Sequence, residues 1–159
     1  MMESAVREHE WLKRFVGKWR YDSECPAEPG GPPVKFDGIE TVRAIGDLWV
    51  VGESKGEMPG GGEATMIMTC GFHIGSGKYV GSWIGSMMTH MWVYSGWLEG
   101  DNTLVLEAEG PRFDDPSKKT KYRDITVFKT PDHRAFRSEV LGEDGKWTQL
   151  MSMDFHRVK

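Results

Sequence analysis

The densest run of chemistry-bearing side chains is Gly85–Ser86–Met87–Met88–Thr89–His90–Met91–Trp92–Val93–Tyr94. On an extended strand, His90, Trp92 and Tyr94 share one face, and Met91 and Val93 share the other. Met66 and Met68 lie on one face of a second strand-like run, and Met151, Met153 and Phe155 on one face of a third. Methionine is unbranched and polarizable, so surfaces rich in it adapt to varied ligands. A chamber lined by methionine, tryptophan and one imidazole suits an apolar molecule that carries a polar group. The candidate ligand-binding set is therefore His90, Trp92, Tyr94, Met66, Met68, Met151 and Met153. The same residues also suit an irregular hydrophobic core. Both faces of the His90 run are apolar, so parity alone does not say which looks inward.

Other chemistry is poorly supported by spacing. His9, His73, His133 and His156 stand at no metal-ligand spacing from His90, and no metal site is expected. A general base needs a nucleophile or polarised group beside it, and none is readable, so no catalytic residue is assigned. Glu40, Glu53, Glu107 and Asp124 lie inside strand-like runs. Each belongs either to a solvated face or to an interior, where it orients a ligand or pairs with an arginine such as Arg137. Pro59–Gly60–Gly61–Gly62 lacks the Lys-Ser/Thr of a phosphate loop and reads as a hairpin tip. Lys118–Lys119–Thr120–Lys121 reads as a solvated strand start.

Composition narrows the function classes. Aromatic residues make up 11% of 159 residues, with seven tryptophans, too many for a disordered chain. This length corresponds to one domain, taken as residues 1–159. Two cysteines are too few for a disulfide scaffold. A Cys25–Cys70 bridge is conceivable, and two reduced thiols is the simpler reading. A net charge of −4 gives no electrostatic footprint for nucleic acid. No apolar stretch approaches the roughly 20 residues of a membrane span. The first eight residues lack the basic and apolar regions of a secretion signal, so a cytoplasmic location is expected.

The elements that must position these residues follow from periodicity. Ala5, His9, Leu12 and Val16 recur at helical spacing, widened by Trp11 and Phe15. This predicts an amphipathic helix over about 5–16, with Ser4 as N-cap and Gly17 just past its end. From there to 157, β-branched and aromatic runs alternate with glycine- and proline-bearing turns. Strands are expected at about 18–26, 34–45, 48–57, 64–74, 78–86, 90–99, 103–111, 119–129, 134–142 and 146–157. Most connections are too short for parallel crossovers, so the sheet is an antiparallel meander. A meander this long curls and closes, which removes its edges. The fold class is all-β: a closed up-and-down barrel of about ten strands with one short N-terminal helix.

Closure makes neighbours of the first and last strands. Gly17 and Trp19 open the first, and Arg157 lies on the last. A guanidinium stacked on that indole would close one end of the barrel. A Gly-x-Trp after a short helix, paired with a last-strand arginine, resembles the calycin superfamily of lipocalins and fatty-acid-binding proteins. Over about residues 8–157 the chain more closely resembles the bacterial family called domain of unknown function 1579. The segments that carry this are Glu10–Trp11–Leu12, Val16–Gly17–Lys18–Trp19, Leu48–Trp49–Val50–Val51, Gly56–Glu57–Met58–Pro59–Gly60–Gly61 and Gly85–Tyr94. The resemblance implies a calycin-like barrel without an assigned activity. Lys121–Tyr122–Arg123–Asp124 does not match the Thr-Asp-Tyr element of lipocalins proper. Arg20–Tyr21–Asp22–Ser23 lacks the glycines that follow this tryptophan in haem-binding nitrobindins. The leading expectation is a barrel that binds a small apolar or amphipathic molecule, with no cofactor. The alternatives are a small enzyme using the barrel as a reaction chamber, a haem-binding barrel, and an interaction module with a filled core.

Overall fold

The computed structural model describes residues 1–26, 32–58 and 61–159, apart from the side chains of Cys25 and Pro26. Parts of two expected turns, at 27–31 and 59–60, and the proposed Cys25 thiol lie outside the described residues. A short helix, α1 (Arg7–Leu12), runs into a 3₁₀ turn at Lys13–Phe15. Ten strands follow: β1 (Gly17–Pro26), β2 (Pro33–Ile45), β3 (Trp49–Glu57), β4 (Glu63–His73) and β5 (Lys78–Gly85). The second half comprises β6 (Trp92–Glu99), β7 (Thr103–Pro111), β8 (Lys119–Thr130), β9 (His133–Leu141) and β10 (Trp147–Arg157). Each strand pairs antiparallel with the next, and β1 pairs with β10, which closes the barrel. Among the described residues no helix is long and apolar enough to cross a membrane.

Two element boundaries differ from the sequence reading. The helix starts at Arg7 with Val6, not Ser4, at the N-cap. The Val6 N–H donates to His9 Nδ1 at 3.0 Å, which leaves the other ring nitrogen, Nε2, to donate to Phe72 O at 2.9 Å. The side chain that caps the helix thus also ties it to β4. The sixth strand starts at Trp92 rather than at 90, because its ladder with β5 ends at the Trp83–Trp92 pair. Beyond that pair the chain stays with β4: Ser86 N donates to Thr65 O and Ser86 Oγ accepts from Thr65 N. Residues 86–91 are therefore a connection, and His90 belongs to it.

Side-chain alternation divides the wall. On β1, Trp19, Tyr21 and Ser23 are buried, whereas Lys18, Arg20 and Asp22 are exposed. Tyr21 reaches across the neighbouring pair Gly38–Gly56, and a Cβ on either glycine would lie 2.2 Å from its hydroxyl. Two facing strand glycines thus make room for one inward aromatic ring. The helix plugs one end: Leu12 and Phe15 are buried, and Trp11, Phe15 and Trp19 all meet Phe128 edge-on. Tyr79 Oη donates to Glu8 O, while Trp11 Nε1 and Arg14 Nη1 both donate to Asp101 O.

Arg157 completes this end. Its guanidinium lies 4.3 Å from the Trp19 ring and donates to Val16 O and Arg14 O, carbonyls at the end of the helical segment. It also donates to Pro131 O and to Asp132 in the β8–β9 turn. Gly17 holds a φ of +140°, and a Cβ there would sit 2.3 Å from Arg157 Nη1. Only glycine suits both the backbone angle and the approach.

Candidate functional site

The half of the barrel away from the helix is built differently. Phe36, Met66, Met68, Trp83, Phe136, Met151 and Met153 occupy inward positions, yet each keeps part of its surface accessible to water. Near the helix, inward residues such as Trp19, Val50, Cys70, Tyr79 and Leu104 are at most 2% exposed. Inward residues are thus packed solid near the helix, while several of those toward the other end keep accessible surface. At the rim of that other end, Met87, Met88 and Phe113 are exposed on the β5–β6 and β7–β8 connections. Arg112 pairs with Asp114 and Glu143, linking the β7–β8 and β9–β10 connections at that rim.

The sequence-predicted residues distribute over this lumen. Met68 stands opposite Trp83, and Trp83 opposite Trp92. Tyr94 faces inward two pairs further along, whereas Met91 and Val93 face solvent. Met66 lies beside Met68 on β4, and Met151 and Met153 enter from β10 on the far wall. His90 sits at the rim, half-buried, with its ring edge-on to Trp92 at 4.6 Å and Nε2 3.3 Å from Glu109 O. Gly110 leaves the space that this pair fills. Trp92 in turn packs edge-on against Tyr122 and donates to Met88 Sδ. Among the described residues, no group of three His, Cys, Asp or Glu side chains is arranged to hold a metal ion. Cys70 is a free, buried thiol, and burial pushes its pKa up to about 12, which keeps it protonated and inert.

The carboxylates separate by parity. Glu53 and Glu107 face outward, paired with Lys55 and with Arg123 and Lys121. Arg137 also faces outward, bonded to Glu139, so it is not the interior arginine. That residue is Arg134, three positions away on the same strand and so on the opposite face. Arg134 pairs with the buried Glu40, which accepts a further hydrogen bond from Ser54. Its guanidinium stacks over Phe155, Trp19 and Phe15. Gly52 beside Glu40 lacks the Cβ that would crowd this carboxylate.

A second polar group lies on β8, farther from the helix than the Glu40–Arg134 pair. Asp124 points inward and accepts from two hydroxyls, Tyr94 Oη on Oδ2 and Ser138 Oγ, at 2.8 Å, on Oδ1. Burial raises the Asp124 pKa above its ordinary value, against the lowering effect of both donors. Burial first, and then the Asp124 charge, pushes Tyr94 well above the usual phenol value, so Tyr94 remains a donor. Among the described residues Asp124 has no cationic partner, unlike Glu40. Phe36, Ser54, Trp83, Phe136 and Ser138 are among the inward residues that no sequence motif singles out. The signal for them is parity carried from strand to strand by the register, which starts from Trp19.

Comparison with known proteins supports the architecture. No functionally curated protein matches the sequence. Among solved structures, Rv2717c from M. tuberculosis aligns with a TM-score of 0.63 at 11% identity, over 98% of this chain and 100% of that one. The S-type phycobiliprotein lyase CPES from Guillardia theta aligns with a TM-score of 0.57 at 15% identity, over 94% and 92%. The barrel EF1p2_mFAP2b bound to DFHBI aligns with a TM-score of 0.52 at 10% identity, over 95% and 99%. At these identities the likeness is one of fold alone. The sequence itself carries the stronger relationship: residues 4–157 match the family described as protein of unknown function (DUF1579), and the chain belongs to that family.

Proposed function

We propose that the protein binds a small hydrophobic or amphipathic molecule in the open half of its barrel, as a carrier or sensor and not as a catalyst. One observation carries this reading. Met66, Met68, Trp83, Phe136 and Met153 point into the lumen but are only half-buried. Apolar side chains turned inward and left partly wet gain free energy when an apolar molecule covers them, at about 25 cal/mol per Å². The exposed Met87, Met88 and Phe113 at the rim offer such a molecule an apolar approach. The comparison with a barrel bound to DFHBI and with a phycobiliprotein lyase is in keeping with this use of the fold, within a calycin-like grouping.

Native mass spectrometry of freshly purified protein tests the reading directly. A noncovalent adduct of a few hundred daltons, released on denaturation, is the expected result. Titration with an apolar fluorophore supplies the second measurement. Its binding should weaken in Met68→Ala and change the emission of Trp83 and Trp92. No adduct, together with no saturable binding of any apolar probe, would refute the proposal.

A further inference from the structure

We infer that the lumen selects ligands by a cationic or strongly hydrogen-bond-donating group, an amine or similar nitrogen, which Asp124 receives. This rests on the lumen-binding reading above and adds the chemical class of the ligand. Among the described inward side chains, Asp124 is the charged group that no other side chain balances. Glu40 and Arg134 neutralise each other in a buried ion pair. Asp124 alone has no counter-charge, and its two partners are hydroxyls that donate one hydrogen bond to each oxygen. Each carboxylate oxygen accepts about two hydrogen bonds, so both retain capacity for a further donor. Asp124 is inward-facing and still partly accessible, so a molecule in the lumen can reach it.

The surroundings favour the same charge. Tyr94, Trp92 and Trp83 line the wall on one side, and Phe136 on the other. Aromatic faces attract cations and offer nothing to a carboxylate. An anionic headgroup would meet Asp124 with like charge in a space of low polarity, where repulsion is weakly screened. The lumen thus discriminates against fatty-acid-like anions even though its walls suit their chains.

The test uses three amphiphiles of one chain length, dodecylamine, 1-dodecanol and dodecanoate, below their micellar concentrations at pH 7. Affinities are read by displacement of an apolar fluorophore. The amine should bind about tenfold more tightly than the alcohol, the scale of one charge-assisted hydrogen bond, and the carboxylate most weakly. Asp124→Asn should remove the amine preference and leave the alcohol unchanged. Glu53→Gln, which removes an outward-facing charge, should alter none of the three. Should Asp124→Asn not fold, salt dependence replaces it. A preference set in the lumen persists when ionic strength rises tenfold, whereas attraction to the acidic surface is screened away. Equal binding of all three, tightest binding of the carboxylate, or an amine preference that survives Asp124→Asn or vanishes in salt would overturn the inference while the lumen reading stands. If none of the three binds, the lumen reading itself fails and this inference falls with it.

Discussion

Arg157 links three parts of the chain through one side chain. It stacks on Trp19, caps the helical segment at Arg14 O and Val16 O, and holds the β8–β9 turn at Pro131 O and Asp132. Arg157→Ala should cost about 1–3 kcal/mol, within the range for hydrogen bonds from a charged donor. Arg157→Lys should recover little, because an ammonium lacks the planar fork and stacking face. Trp19→Ala removes a fully buried indole and should cost about 3–5 kcal/mol. Chemical denaturation of both single variants and the double variant should show the losses falling short of additive, since each removes the same stack. Asp124 gives a different signature. Its folded pKa is raised, so between its unfolded value near 4 and that raised value the native state holds a proton the unfolded chain has lost. Its contribution is fully present below pH 4 and declines as pH rises through the folded value. The groups facing it are Tyr94 from β6 and Ser138 from β9, with Leu106 opposite on β7. The slope of stability against pH in that window should flatten in Asp124→Asn; an unchanged slope would assign it to other groups. Of these residues, Trp19 and Arg157 were legible because the two ends of a closing meander must meet. Glu40 and Asp124 are legible as candidates, but the interior arginine is Arg134 and not the suggested Arg137. One residue of parity separates an inward from an outward side chain, and register is not visible within one strand.

At the scale of elements, glycine- and proline-bearing turns delimit the strands well, because each tight connection needs a particular backbone. The sixth strand shows where that signal ends. The run from Met87 to Tyr94 is mostly apolar and contains no turn residue after Ser86, yet its first residues leave the ladder. What stops the strand is the Ser86–Thr65 pairing with β4, a long-range contact that no local pattern encodes. The helix shows the same limit. Periodicity gives the buried residues His9, Leu12 and Phe15, whereas Ala5 is exposed and precedes the helix, whose start is set by His9, its ring held between Val6 N–H and Phe72 O. His9→Ala should therefore act on both α1 and its docking. It strips a donor from a carbonyl on β4 and a cap from the helix, at a cost of about 1–3 kcal/mol. Hydrogen exchange should report faster loss of protection in residues 7–15 than elsewhere. Protection that falls uniformly, or not at all, would show that the ring does not anchor the element.

At the scale of the molecule, closure has one consequence that no single strand has. Every strand has two neighbours, so the sheet has no edge. The last pairing formed in sequence terms joins β1 to β10, from Trp19–Arg157 to Glu24–Ser152. Those partners are well over a hundred residues apart along the chain, and such pairings meet the entropy of loop closure before they gain any contact energy. The inward side chains also depend on both walls: Phe155 of β10 packs on Tyr21 of β1 and under Arg134 of β9. Stability is therefore expected to be shared around the ring. In denaturant, tryptophan emission and far-ultraviolet circular dichroism should trace one coincident transition, the mark of a cooperative unit. Truncation after residue 145 removes β10 and bares the edges of β1 and β9 together. It also removes Arg157 from Trp19 and from the end of the helix. The truncated chain should lose the sharp transition, bind a dye that reports exposed apolar surface, and associate through its open edges. A truncated chain that stays monomeric and unfolds as sharply as the full protein would show that the remaining nine strands hold themselves, and that closure is not what stabilises the barrel.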